Sequence, residues 1–155
     1  MQNRHQRPRF ATGAVALVLL TAAALPASAA EPGLATVMQR MQTYTHKLQL
    51  SLEARNPRLA DFYLHELEEN SEYVAENIER YREHPVGEMT AQMLLPVIER
   101  MEDAVEEGDW ELGDRRFAEL LEACNACHLT TGHAAIRIVP ASINPFAQDF
   151  SVQPD

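Results

Sequence analysis

The sequence predicts an all-α protein, an antiparallel up-down-up-down four-helix bundle with an extended C-terminal tail. Apolar residues recur at helical spacing from about Leu34 to about Thr130, and no stretch alternates apolar and polar residues as a strand would. Four amphipathic helices joined by short connections pack most simply in that order. The helix breakers stand where such a bundle needs its turns, at Asn56-Pro57, His84-Pro85 and Gly108-Asp109.

The first helix is predicted from about Leu34 to Ala54. Its inward positions recur at steps of four and three as one buried stripe, formed by Leu34, Met38, Met41, Thr45, Leu48 and Leu52. Asn56 then supplies an N-cap and Pro57 the first helical position of a second helix. That helix is expected to continue to about Tyr81, because the His84-Pro85 step follows.

The third helix contains a proline, which complicates its prediction. Pro96 lies within an apolar run, so it must either kink a helix that begins near Val86 or open a shorter one. We expect a kinked helix or two pieces. An apolar stripe of Val97, Met101 and Val105 then leads to Gly108, a suitable C-cap residue.

The fourth helix is predicted to begin at Trp110, with Asp109 as its N-cap. In an antiparallel bundle the end of this helix lies level with the start of the first one. A site near Cys124 would therefore face Leu34 to Met41. The inward face of the fourth helix reads Trp110, Phe117, Leu121, Cys124 and His128.

The N-terminus has the pattern of a cleaved secretory signal peptide. Three arginines precede an apolar run over residues 10–25, which ends in Pro-Ala-Ser-Ala-Ala. We expect residues 1–30 to be the leader, with cleavage after Ala29 or Ala30. An uncleaved signal anchor is the alternative. The remaining chain divides into a bundle over residues 31–132 and a tail over residues 133–155, whose Ile136, Ile138 and Phe146 are expected to pack back on the bundle.

The charge balance argues against two classes of partner. The leader holds three of the thirteen Lys and Arg residues and none of the acidic ones, so its removal leaves ten basic against 23 acidic side chains and a net charge of −13. A surface this acidic is unsuited to nucleic acid or to anionic lipid. The simplest role of such a surface is to keep the protein soluble, and its other role would be to bind a basic protein partner.

The only two cysteines of the chain belong to the sequence Cys124-Asn125-Ala126-Cys127-His128. This is the pattern by which haem is attached to protein through two thioethers. Thiols three positions apart on a helix lie close enough to add to the two vinyl groups of one porphyrin, and the next residue presents an imidazole to the iron. The motif therefore predicts one covalently attached haem c, held by Cys124 and Cys127 and ligated by His128.

Three other interpretations of the cysteine pair stay open at this point. A thioredoxin-type dithiol uses the same spacing, but it stands at the start of a helix after a strand. A structural disulfide suits an oxidising compartment, although it would leave His128 without a role. A zinc site would need further ligands.

A helical bundle with this motif near the end of its fourth helix resembles the class II c-type cytochromes, the cytochrome c-prime group and its methionine-ligated relatives. The resemblance covers about Leu34 to Thr131. It implies a periplasmic four-helix bundle with haem between the fourth helix and the start of the first. Class II relatives often dimerise through helix faces, so the resemblance also implies a homodimer as a candidate assembly of this chain. Where the family usually has a Tyr-Arg pair after the histidine, this chain has Leu129-Thr130.

The sixth iron position decides the function that the resemblance implies. A methionine opposite His128 makes an electron carrier, whereas an open position makes a gas binder. Met38 is the preferred distal ligand and Met41 the alternative, since relatives place a ligating methionine in this region. Met89, Met93, an open site and bis-histidine ligation through His46 or His84 are the other arrangements.

We therefore expect a one-electron carrier that works with protein redox partners in the periplasm, and not an enzyme. The chain offers no catalytic triad and no distal His/Arg pair of a peroxidase. The alternative is a five-coordinate cytochrome that binds nitric oxide or carbon monoxide. After removal of the leader, no membrane association is expected.

Overall fold

The computed structural model describes residues 31–154, and the predicted leader lies outside that range. The described part is all-helical, as expected, and no strand is assigned in it. None of its helices is long and apolar enough to cross a membrane. Five helices follow one another along the chain: α1 Leu34–Glu53, α2 Pro57–Asn77, α3 Val86–Met93, α4 Leu95–Glu106 and α5 Trp110–Thr130.

The first two helices begin where the sequence predicts. α1 starts after Gly33, and most of its predicted stripe is buried, with Met41 and Leu48 in the core and Met38 partly buried beside it. The Asn56 side chain caps α2 by accepting a hydrogen bond of 3.2 Å from the backbone N–H of Leu59.

α2 ends at Asn77, four residues before the predicted end near Tyr81. The prediction was wrong because the start of α3 packs against the end of α2. Gly87 lies so close that a Cβ there would come within 2.9 Å of the Ala75 carbonyl oxygen. The chain must therefore leave the helix early enough to turn back, and it does so through a short bridge between Tyr81 and His84.

The predicted third helix is present in two pieces, α3 and α4, which meet at Leu94. Pro96 occupies the first turn of α4, where its missing N–H has no helical partner to lose. Of the two forms expected, a kinked helix or two pieces, the structure has the second. α5 begins at Trp110 as predicted, with the Asp109 side chain capping the backbone N–H of Leu112 at 2.9 Å.

The core lies between the helices and also contains part of the tail. α1 packs chiefly on α2 and α4 on α5, while α1 and α5 touch only slightly. Ile138 and Phe150 belong to the buried cluster, with 8% and 6% of their surfaces exposed, and Phe146 packs against it. Ile136, which was expected to pack in the same way, is 52% exposed.

We call residues 133–154 the strap, because a row of side chains fastens them to the helices. Gln49 of α1 both donates to the Ala141 carbonyl oxygen at 3.0 Å and accepts from the Ala141 N–H at 2.7 Å. Asn56 donates to the Phe150 carbonyl oxygen at 3.1 Å, and the Tyr63 hydroxyl donates to the Gln148 side chain at 2.7 Å. The strap therefore follows α1 towards its C-terminal end.

Candidate functional site

The motif residues end α5 and border a single cavity. Cys124 and Cys127 are partly buried, and neither is in a disulfide. We call the space beside them and His128 the motif cavity; its volume is about 360 Å³, within the usual range for ligand pockets. Most of its wall is apolar and comes from three helices and the strap, including Leu34, Met38, Met41, Met93, Ala123 and Ile138.

His128 has a defined tautomer, because one of its ring nitrogens contacts a backbone carbonyl. Nδ1 lies 2.8 Å from the carbonyl oxygen of Ile136 in the strap. A carbonyl oxygen only accepts hydrogen bonds, so Nδ1 carries the proton and donates it. In the neutral ring, Nε2 is then left with its lone pair free. This is the arrangement in which an imidazole serves as a metal ligand.

The surroundings of the two thiols argue against a dithiol redox centre. Burial raises the pKa of Cys124 to about 11, with the nearby Cys127 as a smaller cause in the same direction. Burial also raises the pKa of Cys127. Thiol–disulfide exchange needs a thiolate, and redox-active pairs of this kind have lowered thiol pKa values.

A zinc site is not formed by the described residues. Among residues 31–154, no three His, Cys, Asp or Glu side chains come together as a metal-binding group. Structural zinc requires four such ligands. A haem iron takes four nitrogens from the porphyrin and needs only one or two protein ligands, so its protein donors do not form a cluster of that kind.

The structure brings the preferred methionines to the same cavity as the motif. Met38 and Met41 of α1 both border it, although they lie far from His128 in the sequence. Met93 of α3 also borders the cavity, whereas Met89 does not. Met41 is only 5% exposed and belongs to the core, while Met38 is less deeply buried.

The two histidines considered as distal ligands lie away from the cavity wall. His46 contacts the Val139 carbonyl oxygen through Nε2 at 3.3 Å, and His84 pairs with Tyr81 through the backbone. Neither residue borders the motif cavity. The geometry therefore does not favour bis-histidine ligation through His46 or His84.

A second histidine, which the sequence analysis did not place at the site because it closely follows His128, also lies on the wall. His133 borders the cavity, and its ring centroid lies 5.6 Å from that of Tyr81. Its Nδ1 lies 3.2 Å from the hydroxyl oxygen of Thr131, which itself donates to the Cys127 carbonyl oxygen at 3.0 Å. The only signal in the sequence is that His133 closely follows the motif, and helical periodicity cannot place a residue beyond the helix end.

No family model, curated protein or solved structure matches the chain. The resemblance to class II cytochromes therefore rests on the motif and on the helical pattern of the sequence.

Proposed function

We propose that this chain is an exported, periplasmic monohaem c-type cytochrome of the class II type, which carries single electrons. The observation that carries the proposal is the shared cavity. Cys124, Cys127 and His128 of the motif border it together with Met38 and Met41, although these residues come from the last and the first helix of the described chain.

The donor set fits a covalently attached haem. Cys124 and Cys127 stand one helical turn apart for two thioether bonds, and His128 has Nε2 available as the proximal ligand. Met38 is the proposed distal ligand, with Met41 as the alternative. Haem bound in this way supplies a one-electron couple, and methionine opposite histidine raises its reduction potential.

The shared cavity also supports the up-down-up-down arrangement that we propose for the helices. The start of α1 and the end of α5 both border it. That is where antiparallel neighbours in a four-helix bundle meet when α3 and α4 count as one interrupted helix. The strap then supplements the weak direct packing between α1 and α5, because it is hydrogen-bonded to both.

The proposal is tested by producing the full chain in a host competent for cytochrome maturation. We expect a coloured protein whose mass exceeds that of the polypeptide by one haem. The double variant Cys124→Ala, Cys127→Ala should lose the covalent mass gain, whereas Thr130→Ala, an exposed change in the same helix turn, should keep it. A colourless wild-type protein without added mass would contradict the proposal.

Carbon monoxide distinguishes the carrier from the gas-binding alternative. If Met38 occupies the sixth position, the ferrous protein is low-spin and its spectrum does not change with the gas. A high-spin ferrous protein that binds carbon monoxide would instead support a five-coordinate cytochrome. The covalent attachment would hold in either case, so this measurement decides only the role of the site.

A further inference from the structure

Asn125, which lies between the two cysteines of the motif, makes a two-way contact with the strap. Its side-chain Nδ2 donates to the Ile138 carbonyl oxygen at 2.8 Å, and its Oδ1 accepts from the Ile138 N–H, also at 2.8 Å. A carboxamide has one donor and one acceptor side by side, so it can bond to both the N–H and the C=O of one residue, as a neighbouring strand does in a sheet. The strap is therefore attached to α5 inside the motif.

The neighbouring strap residue that matters for the motif is Ile136. Its carbonyl oxygen accepts the hydrogen bond of 2.8 Å from Nδ1 of His128. Asn125 and His128 stand three positions apart on α5, and Ile138 and Ile136 stand two positions apart on the strap. The two contacts thus close a small ring, in which the imidazole cannot turn without breaking a hydrogen bond.

Burial of the Ile136 side chain does not explain why its carbonyl group stays at His128. That side chain is 52% exposed, whereas Ile138 is 8% exposed and belongs to the core. The backbone is held on both sides of Ile136. At Ile138 it is held by core packing and by the Asn125 carboxamide, and on the other side the Ile136 N–H donates to the His133 carbonyl oxygen at 2.8 Å. The position of the Ile136 carbonyl group depends on that of Ile138, because only Arg137 separates the two residues.

We propose that Asn125 is a positioning residue for His128, an inference that rests on the proposed function. By holding Ile138, it keeps the Ile136 carbonyl oxygen on Nδ1 and so leaves Nε2 to the cavity. A hydrogen bond donated by Nδ1 fixes the tautomer of a ligating histidine and makes Nε2 the stronger donor to iron. Stronger donation favours the ferric state, so loss of the contact raises the reduction potential.

The test compares Asn125→Ala with a matched control, Gln49→Ala. Gln49 makes the same two-way carboxamide contact to the strap, but at Ala141, which is farther from Ile136. In the haem-loaded protein we expect Asn125→Ala to raise the midpoint potential and to speed amide hydrogen exchange at Ile138 by roughly tenfold. Gln49→Ala should speed exchange at Ala141 and leave the potential at its wild-type value.

An unchanged potential in Asn125→Ala, or the same rise in both variants, would overturn the proposal. Asn125→Leu is a second variant, which keeps a side chain of similar size and loses both hydrogen bonds to Ile138 without adding a charge; it should also raise the potential. Both Asn125 variants could fail to hold haem while Gln49→Ala holds it. That result would mean that Asn125 is needed for haem attachment itself, and it would equally overturn the proposal.

Failure of the proposed function itself gives a different result. If the wild-type chain carries no haem, nitrogen-15 chemical shifts of the His128 ring still report whether Nδ1 carries the proton. We expect that signature in the wild type and in Gln49→Ala, and its loss in Asn125→Ala. Its persistence in Asn125→Ala would count against the positioning role whether or not haem binds.

Discussion

Met38 and Met41 border the same cavity, but their packing differs. Met41 belongs to the buried core, whereas Met38 is packed against that core from the cavity side. A ligating sulfur must reach the iron without leaving a hole in the core, so the less deeply buried Met38 is the better candidate. Spacing along α1 could not decide this point, because both residues share one helix face.

Replacing Met38 with alanine is expected to open the sixth coordination position. The ferrous protein should change from low-spin and indifferent to carbon monoxide to high-spin and able to bind it, as absorption spectra would show. Met41→Ala should keep the low-spin spectrum while lowering the free energy of unfolding by about 2–5 kcal/mol, the usual range for a buried methionine. A low-spin spectrum that survives in Met38→Ala would rule out this ligand.

Glu102 of α4 should make stability depend on pH. Partial burial, the nearby Glu68 and then Glu106 raise its pKa from 4.5 to about 7, against a smaller opposite effect of His65. The folded protein therefore holds a proton on Glu102 between about pH 4.5 and pH 7, where the unfolded chain has lost it. The free energy of unfolding contributed by this group falls as pH rises through that window.

Glu102→Gln is expected to remove that contribution. Denaturant unfolding at pH 5 and at pH 7.5 should show a smaller loss of stability with rising pH than in the wild type. Glu107→Gln, an exposed change at the end of the same helix, serves as the control and should keep the wild-type difference. Equal pH dependence in Glu102→Gln and the wild type would contradict the assignment.

At the scale of the elements, Gly87 decides how α3 meets α2. A Cβ at this position would lie 2.9 Å from the Ala75 carbonyl oxygen and 3.0 Å from that of Ile78, and these are backbone atoms that move only with the helix. We expect Gly87→Ala to destabilise the protein by about 1–3 kcal/mol, the usual cost of overpacking. Thermal or denaturant unfolding would measure it.

Gly113 of α5 provides the matched control for that prediction. A Cβ there meets only the Leu52 side chain at 3.6 Å, an ordinary contact, and the residue lies inside a helix. Gly113→Ala should therefore stabilise the protein by up to about 1 kcal/mol through helix propensity. If both substitutions changed the free energy of unfolding in the same direction, close packing at Gly87 would not explain the effect of Gly87→Ala.

At the scale of the whole molecule, the strap completes the core. Phe150 is 6% exposed, and its ring lies 6.1 Å from that of Tyr63, although it stands close to the C-terminal end of the sequence. We expect Phe150→Ala to lower the free energy of unfolding by about 3–5 kcal/mol. Val152→Ala, a change at a side chain 60% exposed, should have no measurable effect.

The contacts of the strap with the helices could not be predicted from the sequence. Apolar residues after Thr130 indicated that the tail packs somewhere, but they have no helical period and Ile136 was assigned wrongly to the packed set. The contacts that hold the strap are single side chains reaching backbone groups, as Gln49 reaches Ala141. No local pattern in the sequence specifies such long-range partners.

The early end of α2 has a similar cause. Turn residues marked the neighbourhood of His84 and Pro85, but the helix ends earlier because Gly87 allows α3 to approach the carbonyl groups of α2. Helix propensity concerns neighbours in sequence, whereas this end is set by a residue of the next helix. By contrast, the start of α2 is local, since Asn56 caps it and Pro57 fits its first turn.

Local sequence was enough to predict the all-helical class, the starts of α1, α2 and α5, the break just before Pro96 and the Cys-Asn-Ala-Cys-His motif. These features depend on periodicity, caps and spacing between near neighbours. Three features came to light with the folded chain: the methionines that border the motif cavity, the contact of the Ile136 carbonyl oxygen with His128, and the contact of Asn125 with the strap. Such contacts join distant parts of the chain, so packing alone selects them.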